Sequence, residues 1–144
     1  MNYNSSHICI FNKNGQVLLL KRAKNDEWMP NHWSIPGGRR KEGETLLQNI
    51  IRETLEETNL TIFPPFIRFL PEISEKLNHV FFTTSRFTGS VKLDHENSEY
   101  IWISPENIPE RSSVPNLKAE VYAAKELNDS NIRIIVKSKG IYDI

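Results

Sequence analysis

The segment from residue 38 to residue 60 constrains this chain most, because it joins a glycine turn to an acidic helical stretch. Glu53, Glu56 and Glu57 lie three and four positions apart, so an α-helix would bring them to neighbouring positions on its surface. Clustered carboxylates repel one another unless a positive charge lies against them. A hard divalent cation with oxygen ligands is the usual partner. The segment therefore predicts a helix that contributes carboxylates to a metal site.

The sequence also predicts where this helix begins and ends. Thr45 and Gln48 match a capping box, in which each side chain accepts a hydrogen bond from the other residue's backbone amide. Asn59 tolerates the left-handed conformation that commonly ends a helix. One apolar arc is expected to face the core, with the three glutamates on the opposite side. The predicted arc consists of Leu47, Ile50, Ile51, Thr54 and Leu55.

Apolar and alternating segments elsewhere predict a sheet and a second helix. Strands are predicted at residues 7–11, 16–21, 33–35, 67–73, 80–87 and 99–103. The Asn-Gly turn at residues 12–15 predicts a hairpin between the first two. A C-terminal helix is predicted at 117–127, and residues 132–136 suit a short strand or an extended tail. Strands mixed with two main helices indicate an α/β (α+β) sandwich.

Length and composition bound the classes of protein to consider. A chain of 144 residues is expected to form one domain, spanning 1–144. Its 18 basic and 18 acidic residues cancel, so nothing draws it generally to long nucleic acids or anionic membranes. No apolar run approaches the ~20 residues of a membrane span. Cys9 is the single cysteine and is expected in the core, so we expect a cytoplasmic protein.

One motif is similar to that of a known family. Five residues separate Gly38 from Glu44, seven separate Glu44 from Arg52, and the run continues as Arg-Glu-Thr-Leu-Glu-Glu-Thr-Asn-Leu at 52–60. This pattern resembles the Nudix box. The flanking segments 17–22 and 33–38 are similar to the approach to the box in MutT-like members. The resemblance implies a Nudix-type α/β/α sandwich with a mixed β-sheet.

Two positions depart from the family pattern. Thr54 stands where the family usually has an aliphatic residue, and its hydroxyl is expected to bond a backbone carbonyl one turn earlier. Asn59 stands where the family usually has glycine. Both positions are structural, so the departures leave the predicted metal-binding oxygens in place.

The resemblance also implies a metal set. Glu56 and Glu57 are expected to bind Mg²⁺ or Mn²⁺, Glu53 is a ligand or the base that deprotonates water, and the Gly38 carbonyl completes the site. Hard cations prefer oxygen ligands to nitrogen or sulfur. The four histidines have no paired spacing, so a zinc site is not expected.

Further residues are expected to support this set. Arg52 can hold a glutamate in position through a charged hydrogen-bond fork. Glu44 either binds that arginine or caps the helix. Glu99 is a second candidate base or ligand, and we rank it above its neighbour Glu96.

Substrate contacts are expected outside the box. Arg22 ends the second predicted strand, where many relatives place a phosphate-binding arginine, and Lys21 or Arg39 could assist it. Four aromatic residues are candidates for stacking on a base: Trp28, Trp33, Phe82 and Tyr100.

The family resemblance implies metal-dependent hydrolysis of a nucleoside diphosphate linked to another moiety. A (d)NTP pyrophosphohydrolase of the MutT type, acting also on oxidised nucleotides, is favoured by the flanks. ADP-ribose, nucleotide sugars and dinucleoside polyphosphates remain alternative substrates. A non-catalytic, nucleotide-sensing Nudix-like module is the alternative of a different class. The expected partner is a small nucleotide, and whether the chain forms a homodimer stays open.

Overall fold

The computed structural model describes residues 3–71, 74 and 79–130. Nine strands and two α-helices lie within these residues. The strands are β1 (Ser5–Ile10), β2 (Val17–Arg22), β3 (Trp33–Ser34), β4 (Gly37–Arg39), β5 (Thr61–Ile62), β6 (Arg68–Phe69), β7 (Val80–Thr84), β8 (Phe87–Thr88) and β9 (Asn97–Ile103). The helices are α1 (Leu46–Thr58) and α2 (Leu117–Asp129). The prediction for residues 132–136 lies outside the described residues, as do residues 72–73 of the strand predicted at 67–73. The described part of that strand is shorter than predicted, since it ends at Phe69 and Pro71 is helical.

The strands form a mixed arrangement. Four of them pair in the order β4-β1-β7-β6, where β1 and β7 are parallel and the other pairs antiparallel. Three more pair in the antiparallel order β3-β2-β9, and β5 pairs with β8. The predicted mixed sheet is therefore confirmed.

Strand β1 shows how the layers are built, because its side chains alternate between two cores. Ile8 and Ile10 are buried in the cluster that contains Ile50 of α1. Cys9 and Phe11 are buried in the cluster that contains Val121 of α2. One helix thus covers each face, which confirms the predicted α/β/α sandwich and the burial of Cys9. Among the described residues, no helix is long and apolar enough to cross a membrane.

The predicted first hairpin is present only as a turn. The Asn12 amide donates to the Gln16 carbonyl at 2.9 Å, and one bridge joins Phe11 to Val17. Beyond it the two strands separate: β1 pairs with β4 and β7, and β2 with β3 and β9. The hairpin prediction is wrong because the turn residues specify only a reversal of the chain. Which strands pair beyond the turn depends on the rest of the fold, and here each of the two strands pairs with two other strands.

Helix α1 begins and ends as predicted. Gln48 donates its amide to Thr45 Oγ1 at 3.0 Å, and Thr45 donates its amide to Gln48 Oε1 at 2.9 Å. Asn59 adopts the left-handed conformation with φ 66°, and its amide donates to the Leu55 carbonyl. Leu55 itself is 49% exposed, so its predicted place in the apolar arc is wrong. At about 100° per residue, Leu55 lies roughly 140° around the helix from the buried Ile50.

The same geometry corrects the placement of one glutamate. Glu57 follows Ile50 by seven residues, which brings it back to within roughly 20° of the same direction. Its exposure is 6%, so it lies on the buried face of α1 and not opposite it. The helix therefore carries one carboxylate into the interior.

Thr54 does not make the hydrogen bond expected of it. Its side chain is completely buried, and its Oγ1 has no hydrogen-bond partner among the described residues. The equivalent hydroxyl of Thr58, one turn later, donates to the Thr54 carbonyl at 2.6 Å and accepts from the Leu60 amide at 3.2 Å. A buried polar group without a partner destabilises the fold, which makes Thr54 an unfavourable departure from an aliphatic residue.

Replacing Thr54 by valine is expected to raise the free energy of unfolding by about 1 kcal/mol, because it removes an unpaired hydroxyl at constant shape. Thr58→Val is the matched control, since that threonine is equally buried on the same helix but loses two hydrogen bonds. It is expected to lower the same quantity by about 1–3 kcal/mol. Guanidinium denaturation of the metal-free proteins measures both changes. A loss of stability in Thr54→Val would contradict the assignment of an unpaired hydroxyl.

Candidate active site

Arg52 is the centre of a hydrogen-bonded network of carboxylates. Its Nε and Nη2 donate to the two oxygens of Glu44 at 2.7 and 3.1 Å. Its Nη1 donates to Glu53 Oε1 at 3.1 Å and to Glu56 Oε2 at 3.0 Å. The hydrogen bonds from Arg52 lower the pKa of Glu44 to about 2. Of the two roles expected for Glu44, the structure shows the pairing with arginine. Arg52 in turn holds Glu53 and Glu56 in place.

Glu57 is held separately, at the edge of the sheet. Its Oε1 accepts from the Gly37 amide at 2.9 Å, and its Oε2 accepts from Asn97 Nδ2 at 3.2 Å. Burial raises the pKa of Glu57 to about 8, although the Gly37 amide opposes the shift, and the charges of Glu53 and Glu96 add to it. A buried carboxylate with a raised pKa lacks a compensating positive charge, which a bound cation would supply.

Glu53 lies directly against the backbone of Gly38. A Cβ added at Gly38 would lie 2.6 Å from the Glu53 carboxyl carbon and one of its oxygens. Burial raises the pKa of Glu53, although Arg52 opposes the shift. The absence of a side chain at Gly38 is thus what lets this carboxylate reach β4.

The three glutamates do not converge on one point, contrary to the expectation from their spacing. Among the described residues, no three His, Cys, Asp or Glu side chains are grouped as a formed metal site. Glu53 and Glu56 are instead turned to Arg52, and Glu57 to the amide groups at the sheet edge. The donor set still fits a hard cation, since it offers carboxylate oxygens of which two have raised pKa values.

A cleft of about 740 Å³ is lined by Glu57, whereas Glu53, Glu56 and Arg52 lie outside its lining. The carboxylate side of its lining includes Gly37, Gly38, Glu57, Glu96 and Asn97. Apolar and aromatic side chains form much of the rest, among them Ile35, Phe81, Leu117 and Trp28. The volume lies within the range of about 300–1,000 Å³ that is typical of small-molecule sites.

Glu99 is not brought to the cleft. It lies opposite Lys21 in the β2–β9 ladder, its Oε2 is 3.1 Å from Lys21 Nζ, and its side chain is 59% exposed. Glu96 does line the cleft, and its charge acts on Glu53 and Glu57. Glu96 thus lies in the cleft lining and Glu99 does not, because strand pairing gives Glu99 a cross-strand partner outside the cleft.

The two predicted phosphate-binding arginines differ in position. Arg22 lines the cleft, but its Nη2 is 2.8 Å from Asp26 Oδ2 and its Nε donates to the Trp28 carbonyl at 2.8 Å. The side chain of Arg39 is exposed and outside the cleft lining. The Arg39 carbonyl accepts from Arg52 Nη2 at 3.2 Å, so this residue contributes its backbone to the network.

Several residues of the cleft have no signal in the sequence. His7 and His79 lie with ring centroids 5.3 Å apart, although 72 positions separate them in the chain, and burial lowers the pKa of His7 to about 4. Glu120 of α2 also lines the cleft, and burial raises its pKa to about 7. Asn97 joins them through its contact with Glu57. Only strand pairing and helix packing bring these distant positions together.

Comparison with known proteins agrees with this architecture. The model of the NUDIX domain family matches residues 2–124. An uncharacterised Nudix hydrolase of Listeria innocua is 46% identical over 57 residues, which are 39% of this chain but only 34% of the relative. An 8-oxo-dGTP diphosphatase of Buchnera aphidicola is 31% identical over 72% of this chain and 78% of its own length.

The fold comparison extends over most of the chain. The crystal structure of a MutT protein from Methanosarcina mazei superposes with a TM-score of 0.68 at 27% identity, covering 88% of this chain and 94% of that one. The family match includes both the braced glutamates and the strands that form the cleft. The chain therefore belongs to the NUDIX domain family.

Proposed function

We propose that this protein hydrolyses the diphosphate linkage of nucleoside diphosphate derivatives, with Mg²⁺ or Mn²⁺ as cofactor. The observation that carries the proposal is that α1 carries Glu53 and Glu56, which Arg52 holds, and also Glu57, which lines a cleft of about 740 Å³. Burial raises the pKa values of Glu53 and Glu57, which is the effect expected of carboxylates that a bound cation would stabilise. Such a site suits a cation and the phosphate oxygens that the cation would attract.

The chemistry must bring water to a phosphorus atom that negative oxygens shield. A divalent cation, when bound, neutralises that charge and acidifies a water molecule. Glu53, Glu56 and Glu57 are the proposed ligands, and the Gly38 carbonyl is a candidate fourth. Arg52 acts on the reaction by holding Glu53 and Glu56 in position.

Two glutamates are candidates for the general base. Glu53 is one candidate, since it is half-buried with a raised pKa and could accept a proton from water. Glu96 replaces Glu99 as the second candidate, because it lines the cleft beside Glu57. Separate glutamine variants at Glu53 and Glu96 would distinguish the two by their effects on kcat against pH.

For the substrate, we propose (d)NTPs, including oxidised purine nucleotides, which the enzyme would convert to a nucleoside monophosphate and pyrophosphate. Support comes from the relative in Buchnera aphidicola whose name is 8-oxo-dGTP diphosphatase. The cleft volume also suffices for a nucleotide. ADP-ribose, nucleotide sugars and dinucleoside polyphosphates are the competing substrates.

A nucleotide panel tests the proposal. The nucleotide products are separated and quantified by chromatography with Mg²⁺ for dGTP, 8-oxo-dGTP, ADP-ribose, a UDP-sugar and a diadenosine polyphosphate, and again after chelation of the metal. Release of pyrophosphate is measured in addition for the two triphosphates. We expect the highest kcat/KM on a (d)NTP and no turnover after chelation. Preference for another compound would revise the substrate. Tight nucleotide binding by calorimetry without turnover on any compound would favour the non-catalytic, nucleotide-sensing alternative.

A further inference from the structure

Trp28 is an exposed indole on a firmly held backbone. It lines the cleft, yet 54% of its surface is exposed. Its amide donates to Asp26 Oδ1 at 3.1 Å, and its carbonyl accepts from Arg22 Nε at 2.8 Å. An ion pair of 2.8 Å joins Arg22 to Asp26 and closes this network. The backbone amide and carbonyl of Trp28 are therefore held by hydrogen bonds before any ligand binds.

The indole ring is held as well as its backbone. The Arg22 guanidinium carbon lies 4.9 Å from the ring centroid, which is a cation–π contact. The guanidinium lies over one face of the ring, and the residue nevertheless remains 54% exposed. A planar ligand could stack there without any rearrangement of the side chain, and such preorganisation favours binding.

The other candidate aromatic residues are placed differently. Phe82 is buried in the core, and Trp33 lies in β3 below the Lys21 ammonium. Tyr100 is exposed on β9 but lies outside the cleft lining. Of the four aromatic residues singled out from the sequence, Trp28 alone lines the cleft.

The charges around the ring indicate which part of a nucleotide would bind. Asp26 compensates the charge of Arg22 at 2.8 Å, so this corner of the cleft offers a neutralised pair rather than a free cation. A neutral base with a π-face suits such a surface better than a phosphate group. The Glu57 carboxylate, which also lines the cleft, suits the metal-bound phosphates instead.

We propose that Trp28 is the platform on which the nucleobase of the substrate stacks, and that Arg22 is a positioning residue that holds the indole. The proposal rests on the proposed function in one respect, which is that the substrate is a nucleotide. It assigns to Arg22 a different role from the phosphate contact expected from the sequence.

Two probes test the platform by equilibrium binding in the presence of Mg²⁺: an α,β-imido nucleoside triphosphate, which resists cleavage, and inorganic tripolyphosphate, which has no base. Trp28→Ala is expected to weaken binding of the nucleotide about 10- to 100-fold and to leave tripolyphosphate unchanged. Trp28→Phe should lose only a few-fold, because phenylalanine retains a π-face. Tyr100→Ala, an exposed aromatic outside the cleft, is the matched control and should bind both probes as the wild type does.

The same probes separate the two roles of Arg22. As a positioning residue, Arg22→Met should weaken nucleotide binding but not tripolyphosphate binding, and Arg22→Lys should recover part of the loss by retaining the cation. If Arg22 binds phosphate instead, Arg22→Met would weaken binding of both probes, and that result would overturn this part of the proposal. The stacking role of Trp28 is overturned if Trp28→Ala binds the nucleotide as tightly as the wild type does. It is also overturned if the substitution weakens tripolyphosphate binding as much as nucleotide binding.

Turnover distinguishes this proposal from the proposed function. If the wild type binds the nucleotide through Trp28 but cleaves no nucleotide of the panel, the platform stands and the hydrolase does not. If the wild type cleaves nucleotides and Trp28→Ala has an unchanged KM, the hydrolase stands and the platform does not. An effect of Trp28→Ala on KM with kcat retained is the result that both proposals expect.

Discussion

Replacing Glu57 by glutamine is expected to lower kcat by more than about 100-fold while making the metal-free protein more stable. Changes to residues that merely support a metal ligand typically cost 10- to 100-fold, so loss of a proposed ligand should exceed that range. Glutamine keeps the shape of the side chain and one oxygen for the Gly37 amide. The loss of activity would therefore reflect the missing charge and not a rearranged helix.

The gain in stability follows from the pKa of Glu57. Burial raises that pKa to about 8, so the folded protein holds a proton that the unfolded chain releases at a lower pH. Without metal, the contribution of Glu57 to stability is therefore fully present below its unfolded pKa of about 4.3 and is lost as the pH rises towards 8. Glu57→Gln avoids this fall, and its advantage should grow across that window to more than about 1 kcal/mol.

Three measurements check this prediction: kcat with Mg²⁺, denaturation of the metal-free protein at pH 5 and pH 8, and the rise in Tm on adding Mg²⁺. The Mg²⁺-induced rise should shrink in Glu57→Gln, because a weaker ligand set binds the folded state less tightly. Glu126→Gln, an exposed glutamate of α2, is the matched control and should leave all three unchanged. Full activity in Glu57→Gln would contradict its role as a ligand.

Replacing each of two neighbouring glycines by alanine is expected to have different effects: the change at Gly37 should lower stability, and the change at Gly38 should lower activity. A Cβ at Gly37 would overlap the Ser6 carbonyl oxygen and the His7 ring, and would lie 2.8 Å from His7 Cα. Backbone atoms cannot move aside without disturbing the pairing of β1 with β4. Gly37→Ala should therefore lower the free energy of unfolding by about 3 kcal/mol or more.

Gly38→Ala should instead spare the fold and reduce activity. The atoms that its Cβ would meet belong to the Glu53 carboxyl group, the mobile end of a side chain, at 2.6 Å. Displacing that carboxylate should lower kcat about 10- to 100-fold. Denaturation and kcat are measured for both variants. Equal loss of stability in the two would show that Gly38, like Gly37, serves the fold and not the site.

The parts of the site that were predictable from the sequence depend on residues close together in the chain. The capping box of Thr45 and Gln48 and the left-handed Asn59 are present because each involves bonds within one or two helical turns. Arg52 and Glu56 pair as the i, i+4 spacing allows. The family and the α/β/α sandwich follow from such local patterns and are confirmed.

The predictions that failed depend on distant partners. Glu99 was expected at the site but lies outside the cleft lining, where β2 supplies Lys21 as its neighbour. The hairpin prediction failed because β1 pairs with β7, some seventy residues away. Glu57 was assigned to the outer face of α1 although its angle matches that of Ile50, an error of helical geometry that the sequence alone could have avoided.

The sequence by itself thus determined the family, the carboxylate set and the ends of its helix, because capping and helical spacing are local. Only the tertiary structure decided how those carboxylates are held: Arg52 braces Glu53 and Glu56, while Gly37 and Asn97 bind Glu57 across separate strands. It also placed Trp28 in the lining of the cleft, unlike the other three candidate aromatic residues. The physical reason is that burial and strand pairing, not residue type, set the environment of a charge or a ring.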